Sequence, residues 1–300
     1  MRPVSGWAAL VARCTFPPAG TDVTCAVSGG ADSLALLVLA SAAGCRVTAV
    51  HVDHGLRPRS AAEAHVVAGA ADRLGARFRA ERVDVAAGPN LEARARAARY
   101  AVLPPGVLTG HTADDQAETV LLNLIRGAGL DGLAGMRRDD ASRTGCRAGP
   151  GHPILDLRRS ETEAVCAAEG LPPVTDPTNA DPAHRRNRVR AELLPLLADI
   201  AERDVVPVLA RQAALLRDEA DALDGIVTTL DPTDANALAG ASPALARRAV
   251  RRWLVEGQDH PPDAATVERV LAVARNEARA TDVGAGRRVL RTRNVLRLER

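Results

Sequence analysis

A glycine-rich hexapeptide, Ser28-Gly29-Gly30-Ala31-Asp32-Ser33, lies between the apolar run Val23 to Val27 and the apolar stretch Leu34 to Ala43. The first run reads as a buried strand and the second as a helix stopped by Gly44. Glycines at such a junction let the backbone approach an anion closely and direct N–H groups at it. The helix N-terminus adds roughly half a positive charge. Ser28 and Ser33 supply hydroxyl donors. Asp32 is out of place beside phosphates unless a divalent cation sits between them, which makes it a candidate Mg²⁺ ligand. The hexapeptide fits neither G-x-x-x-x-G-K-[ST] nor G-x-G-x-x-G. The plainer alternative is a strand-to-helix turn capped by Ser and Asp.

Around this loop the chain alternates strand-like and helix-like segments. Strands are expected at Arg46 to Val52, Arg77 to Val85 and Val107 to Thr109, with Ile154-Leu155 as a short fifth. Helices are expected at 60 to 74 (Ser60 and Glu63 forming a capping box), at 90 to 103, and from Thr112 to Arg126. The pattern predicts a doubly wound parallel sheet of five strands. Ligands then bind at the C-terminal strand ends, and if the order is 3-2-1-4-5, strands one and four flank the switch point. Beyond about residue 198 the character changes to long amphipathic stretches at 201–228, 243–256 and 263–280, followed by a hairpin from Val283 to Leu298. This predicts a domain of residues 1–198 and a second, mainly helical domain of residues 199–300.

A second polar constellation, Gly110-His111-Thr112-Ala113-Asp114-Asp115-Gln116-Ala117-Glu118, follows the fourth strand. Capping by Thr112 explains the aspartates. It does not explain Glu118, which follows Asp114 at i+4 and Asp115 at i+3 and so stacks carboxylates on one face. Such a group suits Mg²⁺, an ammonium or a proton acceptor, and His111 at the strand exit suits a nucleotide.

The chain holds no lysine: all 39 basic residues are arginines. Phosphate charge must therefore be met by arginine, backbone N–H groups or a metal. The net charge of +2 neither demands nor excludes nucleic acid. The arginine runs 184–190, 247–252 and 287–293 are candidate phosphate-backbone contacts, with a solvated surface as the alternative. Five cysteines lack any C-x-x-C pair, and no apolar run is long enough for a membrane span, so a cytoplasmic protein with reduced thiols and no membrane partner is expected.

The hexapeptide resembles the S-G-G-x-D-S PP-loop of the N-type ATP-pyrophosphatases. Further segments resemble the tRNA(Ile)-lysidine synthase family: Val52-Asp53-His54-Gly55-Leu56-Arg57; Glu92 to Tyr100 (E-x-x-A-R-x-x-R-Y); Gly110 to Met136; Pro153-Ile154-Leu155; and Asp176-Pro177-Thr178-Asn179 through Arg186-Asn187-Arg188-Val189-Arg190 to Leu197. His152 stands where that family has arginine. The resemblance implies an adenine nucleotide alpha hydrolase-like catalytic domain and a helical tRNA-binding domain. It implies adenylation by ATP and Mg²⁺ of C2 of cytidine 34 in the CAU anticodon of tRNA(Ile), then attack by L-lysine to give lysidine, AMP and pyrophosphate. Ser28, Gly29, Gly30, Ala31, Asp32, Ser33, His54, His111 and Arg126 would hold the nucleotide. Asp32 would bind the metal, and Asp32, Asp115, Glu118 and Arg188 would be catalytic. A homodimer stays open. The rival readings are another PP-loop tRNA-modifying enzyme, such as a 2-thiolation enzyme, and a nucleotide-binding protein without chemistry.

Overall fold

The computed structural model describes residues 6–53, 55, 60–84, 88, 91–139, 150–174, 181–255 and 262–300. It divides into two compact units, Met1–Leu216 and Arg217–Arg300.

The first unit is built on a parallel sheet of four strands in the order β3-β2-β1-β4. These are β1 (Asp22–Ala26), β2 (Arg46–Asp53), β3 (Arg77–Arg82) and β4 (Leu108–Thr109). β1 is central, with Ala26 opposite Val50 on one side and Thr109 on the other. After a short α1 (Ala8–Val11), the crossovers are α2 (Ala31–Ala42), α3 (Ser60–Arg73) and α4 (Leu91–Val102), and α5 (Ala113–Ile125) follows β4. Parallel neighbours cannot be joined by tight turns, and the helices supply the longer crossovers they need. Helix α2 has no polar face: Ser33 through Ala40 are all buried. It lies in the main core with Cys25, Val47, Val67, Ile154, Leu157 and Val165. A helix apolar all round must be enclosed, and α7 (Arg159–Ala168) covers it after the short α6 (Leu130–Leu133).

The expected fifth strand does not form. Ile154 and Leu155 are buried but lie in a turn. The position beside β4 is taken by one parallel bridge from Leu108 to Gly151, where the N–H of Thr109 donates to the Gly151 carbonyl at 2.9 Å. Pro153 has no N–H to continue a ladder, so pairing ends there.

Downstream, α8 (Arg185–Arg188), a single π-helical turn (Val189–Leu193) and α9 (Leu194–Ala201) are consecutive. Val189, Leu194 and Val206 pack with Ala113, Ala117, Leu121 and Leu122 of α5. This packing keeps residues past 198 with the first unit, so the division falls inside α10 (Val206–Val227). The second unit continues with α11 (Ala235–Gly240), α12 (Pro243–Val255) and α13 (Ala264–Ala274). An antiparallel sheet of β5 (Ala280–Gly284), β6 (Arg287–Thr292) and β7 (Val295–Glu299) follows in that order. The expected hairpin is thus a three-stranded meander. Helix α13 stops at Ala274, and Asn276 adopts a left-handed φ of 66°, which frees 280–284 to pair.

Several arginines of the basic runs serve this unit's own fold. Arg248 pairs with Asp224 at 2.6 Å, Arg247 with Glu268 at 2.5 Å, and buried Arg287 donates to the Leu254 carbonyl at 2.9 Å. Cys14, Cys25, Cys45 and Cys166 are free thiols, and Cys146 lies outside the described residues. No helix among the described residues is long and apolar enough to cross a membrane.

Because α2 is enclosed on all sides, Leu37→Ala should lower unfolding free energy by about 2–5 kcal/mol, read as a shifted urea midpoint. A change below 1 kcal/mol would show that the α2 environment collapses easily.

Candidate active site

Gly29 turns the chain out of β1 with φ +91°, a value that favours glycine. Its carbonyl accepts from the N–H of Val174 at 2.9 Å. Gly30 is the N-cap of α2 and makes no side-chain cap bond. Ser33 Oγ instead donates to the Gly30 carbonyl at 2.9 Å and accepts from the Ser28 N–H at 3.2 Å. The first-turn N–H groups of α2 therefore end without a side-chain cap, which is the arrangement an anion can use. α5 differs: Thr112 and Asp115 close a complete capping box there.

The two motif loops meet at Gly110. A Cβ on this residue would lie 2.7 Å from the Asp32 carbonyl oxygen and 2.9 Å from the Ser33 nitrogen. Only a residue without a side chain lets the β4 exit lie against the first turn of α2. Asp32 accordingly lies near the start of α5 at the C-terminal strand ends, the place where a parallel sheet of this topology has its ligand crevice.

The carboxylates in that crevice are ringed by arginines. Glu118, fully buried, accepts from Arg190 Nε at 2.6 Å and Arg186 Nε at 2.7 Å, and Arg159 Nη1 lies at 3.4 Å. Asp115 has Arg186 at 3.2 Å and Arg159 at 3.3 Å, and accepts from the Thr112 N–H at 3.0 Å. Arg158 grips Asp114 with two bonds of 3.0 and 3.1 Å, and the N–H of Arg159 donates to Asp114 at 2.8 Å. Asp32 accepts from the hydroxyl of Thr162 and lies 3.5 Å from Arg159 Nε. Burial disfavours the charge on Asp115, but His111, Arg186 and Arg159 outweigh it and hold this carboxyl below its usual range. For Asp32 burial dominates and the neighbouring Asp115 adds to it, so its carboxyl is pushed up despite Thr162 and Arg159.

Among the described residues no group of three or more His, Cys, Asp or Glu is arranged as a metal cage. Asp32 offers hard carboxylate oxygens at the loop. That donor set fits Mg²⁺, which binds through one or two carboxylates plus substrate phosphates and keeps several waters.

The candidate residues fall into two groups. Ser28, Gly29, Gly30, Ala31, Asp32 and Ser33 share the crevice with Asp115 and Glu118. His111 is at its edge. Its Nδ1 is 2.9 Å from Thr109 Oγ1 and 3.1 Å from His152 Nδ1, and burial pushes its imidazole down to about 4. Buried His152, at 2.6 Å from Thr109, thus fills the expected arginine position. Arg188 and Arg126 point elsewhere. Arg188 is exposed and pairs with Glu192, four residues on, at 2.7 Å. Arg126 is exposed at the far end of α5, about 18 Å along the axis from its first turn. His54 and Asp176 to Asn179 lie outside the described residues. The residues that contact the carboxylates instead are Arg158, Arg159, Thr162, Arg186 and Arg190. The i,i+4 spacing of Arg186 and Arg190 within the basic run is a signal for the last two. Nothing local marks Arg159 or Thr162.

Comparison with known proteins adds to this geometry. The profile of a PP-loop domain family matches residues 9–197. The chain is 43% identical over 274 residues to a tRNA(Ile)-lysidine synthase of Nocardia farcinica, covering 87% of this chain and 83% of that protein. It is 43% identical over 282 residues to the protein of the same name from Thermobifida fusca, covering 86% and 84%. Among solved structures it is similar in fold to a U34-tRNA thiolase of Methanococcus maripaludis, with a TM-score of 0.56, 15% identity, and 70% of this chain and 78% of that one covered.

Gly110→Ala should displace the first turn of α2, because its Cβ meets backbone and not a movable side chain. The expected result is at least a tenfold loss of ATP affinity by calorimetry, equivalent to about 1.4 kcal/mol. Unchanged affinity would show that the two loops are not mechanically joined at this point.

Proposed function

This chain belongs to the tRNA(Ile)-lysidine synthase family of PP-loop proteins, and on that premise we propose that its crevice adenylates C2 of cytidine 34 in the CAU anticodon of tRNA(Ile) and transfers L-lysine to it. The observation that carries the reading is the balanced ionic cluster facing the PP-loop. Asp32, Asp114, Asp115 and Glu118 stand against Arg158, Arg159, Arg186 and Arg190. Lysine brings two ammonium groups and one carboxylate. A site holding both signs can receive all three, whereas a site for an apolar substrate would bury neither.

ATP is bound at the PP-loop, where uncapped N–H groups of α2 and the hydroxyls of Ser28 and Ser33 receive phosphate oxygens. Mg²⁺ held by Asp32 would offset charge developing on departing pyrophosphate. The arginines stabilise the adenylated intermediate by fixed positive charge. Lysine arrives protonated, with a reference pKa of about 10.4. Asp115, held below its usual range by its partners, is a weak base. We assign it, with Glu118, to anchoring an ammonium group. The surrounding guanidiniums disfavour a second positive charge, which eases loss of the proton before attack. Cytidine 34 lies in a single-stranded loop, so presenting it costs less than extraction from a duplex.

The cysteine spacing favours this chemistry over thiolation, since no two of the five cysteines form a C-x-x-C pair. Binding of tRNA by the second unit is part of the same proposal.

Incorporation of radiolabelled lysine into a CAU-anticodon transcript tests the assignments. Asp32→Ala and Glu118→Ala should abolish it. Arg186→Ala should lose about a hundredfold or more, as removal of one preorganised charge donor does. Arg188→Ala should stay within about twofold, because exposed ion pairs contribute little. Equal losses in the two arginine variants would overturn the distinction, and near wild-type turnover in Asp32→Ala would overturn the role of the loop acid.

A further inference from the structure

Arg159 is the only arginine among the described residues that touches both halves of the crevice. Its guanidinium lies 3.5 Å from Asp32, 3.3 Å from Asp115 and 3.4 Å from Glu118. All three contacts are long. The neighbouring arginines make closer ones, such as Arg190 to Glu118 at 2.6 Å and Arg186 to Glu118 at 2.7 Å. Arg159 is thus suspended between three carboxylates without a bidentate pairing to any of them. Its main chain is held separately, by the N–H bond to Asp114 at 2.8 Å, so the side chain can move without its helix.

The partners would respond differently to its departure. Glu118 keeps Arg186 and Arg190, and Asp115 keeps Arg186 and Thr112. Asp32 keeps only the hydroxyl of Thr162 among the described contacts. One side chain therefore supplies the positive charge that Asp32 needs in the free chain.

We propose that Arg159 is a built-in counter-ion that occupies the cation position at Asp32 and yields it when a divalent ion arrives. The proposal rests on the reading of Asp32 as the metal-binding residue. Freed from Asp32, Arg159 stays within reach of Asp115 and Glu118. Metal arrival at the loop would then tighten the cationic surroundings of the lysine-binding carboxylates, coupling the two halves of the site through one side chain. The contacts of Arg158 show by contrast what a firmly held arginine looks like here: two bonds of 3.0 and 3.1 Å to one aspartate and a further pairing with Asp204.

The test is binding of Mn²⁺ alone to the free protein, followed by electron paramagnetic resonance, together with thermal unfolding with and without the ion. Arg159→Gln should bind Mn²⁺ about tenfold more tightly than wild type, since one competing unit charge has been removed. It should also melt lower in chelator and recover more with Mn²⁺. Arg159→Lys, which keeps the charge, should stay close to wild type. In the double variant Arg159→Gln with Asp32→Asn the gain should vanish. Equal or weaker Mn²⁺ affinity in Arg159→Gln, with wild-type binding still abolished by Asp32→Asn, would overturn the counter-ion role and leave the metal assignment standing. Binding indifferent to Asp32→Asn in both backgrounds would overturn the metal assignment itself.

Discussion

The site depends on the approach of Gly110 to the first turn of α2. Two loops 80 residues apart in sequence become one crevice because β1 and β4 are neighbours and because no side chain separates Gly110 from the backbone of Asp32 and Ser33. A phosphate loop and an acidic helix start each have bland explanations when taken separately. Brought within one van der Waals contact, they form the place where we propose that a nucleotide and a charged amino acid meet. The enclosed α2 provides the rigidity, since eight successive buried residues leave it no freedom to slide.

That crevice carries an unusual electrostatic load. Four carboxylates and four arginines are gathered there, with Glu118 fully buried. Isolated charges at such depth would be severely penalised, so each needs a partner. The chain solves this with arginine throughout. Planar guanidiniums bridge several carboxylates at once, as a lysine ammonium could not. The π-helical turn at Val189–Leu193 occurs where Pro195 removes the N–H that would bond the Ala191 carbonyl. Arg186 and Arg190 flank the start of that turn and share the face directed at Glu118, while Arg188 is on the other side.

What could be read from the sequence was local. The PP-loop, the strand-helix alternation through Ile125 and the capping of α5 by Thr112 each depend on neighbouring residues, and all three were legible. The fifth strand was misread because Ile154 and Leu155 are apolar and buried for a reason other than pairing, as part of the core beside α2. Which arginines face the carboxylates was not legible where phase mattered: separating Arg186 and Arg190 from Arg188 requires the helix face, which the π turn sets. Arg159 was invisible because its partners lie 41 and 44 residues away at Glu118 and Asp115, and further still at Asp32. The basic runs of the second unit were legible as charge but not as structure. Asp224 and the Leu254 carbonyl engage Arg248 and Arg287 only once that unit has folded.

We propose that one crevice joins ATP activation to transfer of lysine onto a cytidine. Mass spectrometry of the nucleosides of a CAU-anticodon tRNA(Ile) transcript, after incubation with the protein, ATP, Mg²⁺ and lysine, tests it most directly. Cytidine 34 should gain the mass of lysine less water, and the gain should require ATP. An unmodified cytidine 34, or a product carrying sulfur or ammonia-derived nitrogen in place of lysine, would contradict it.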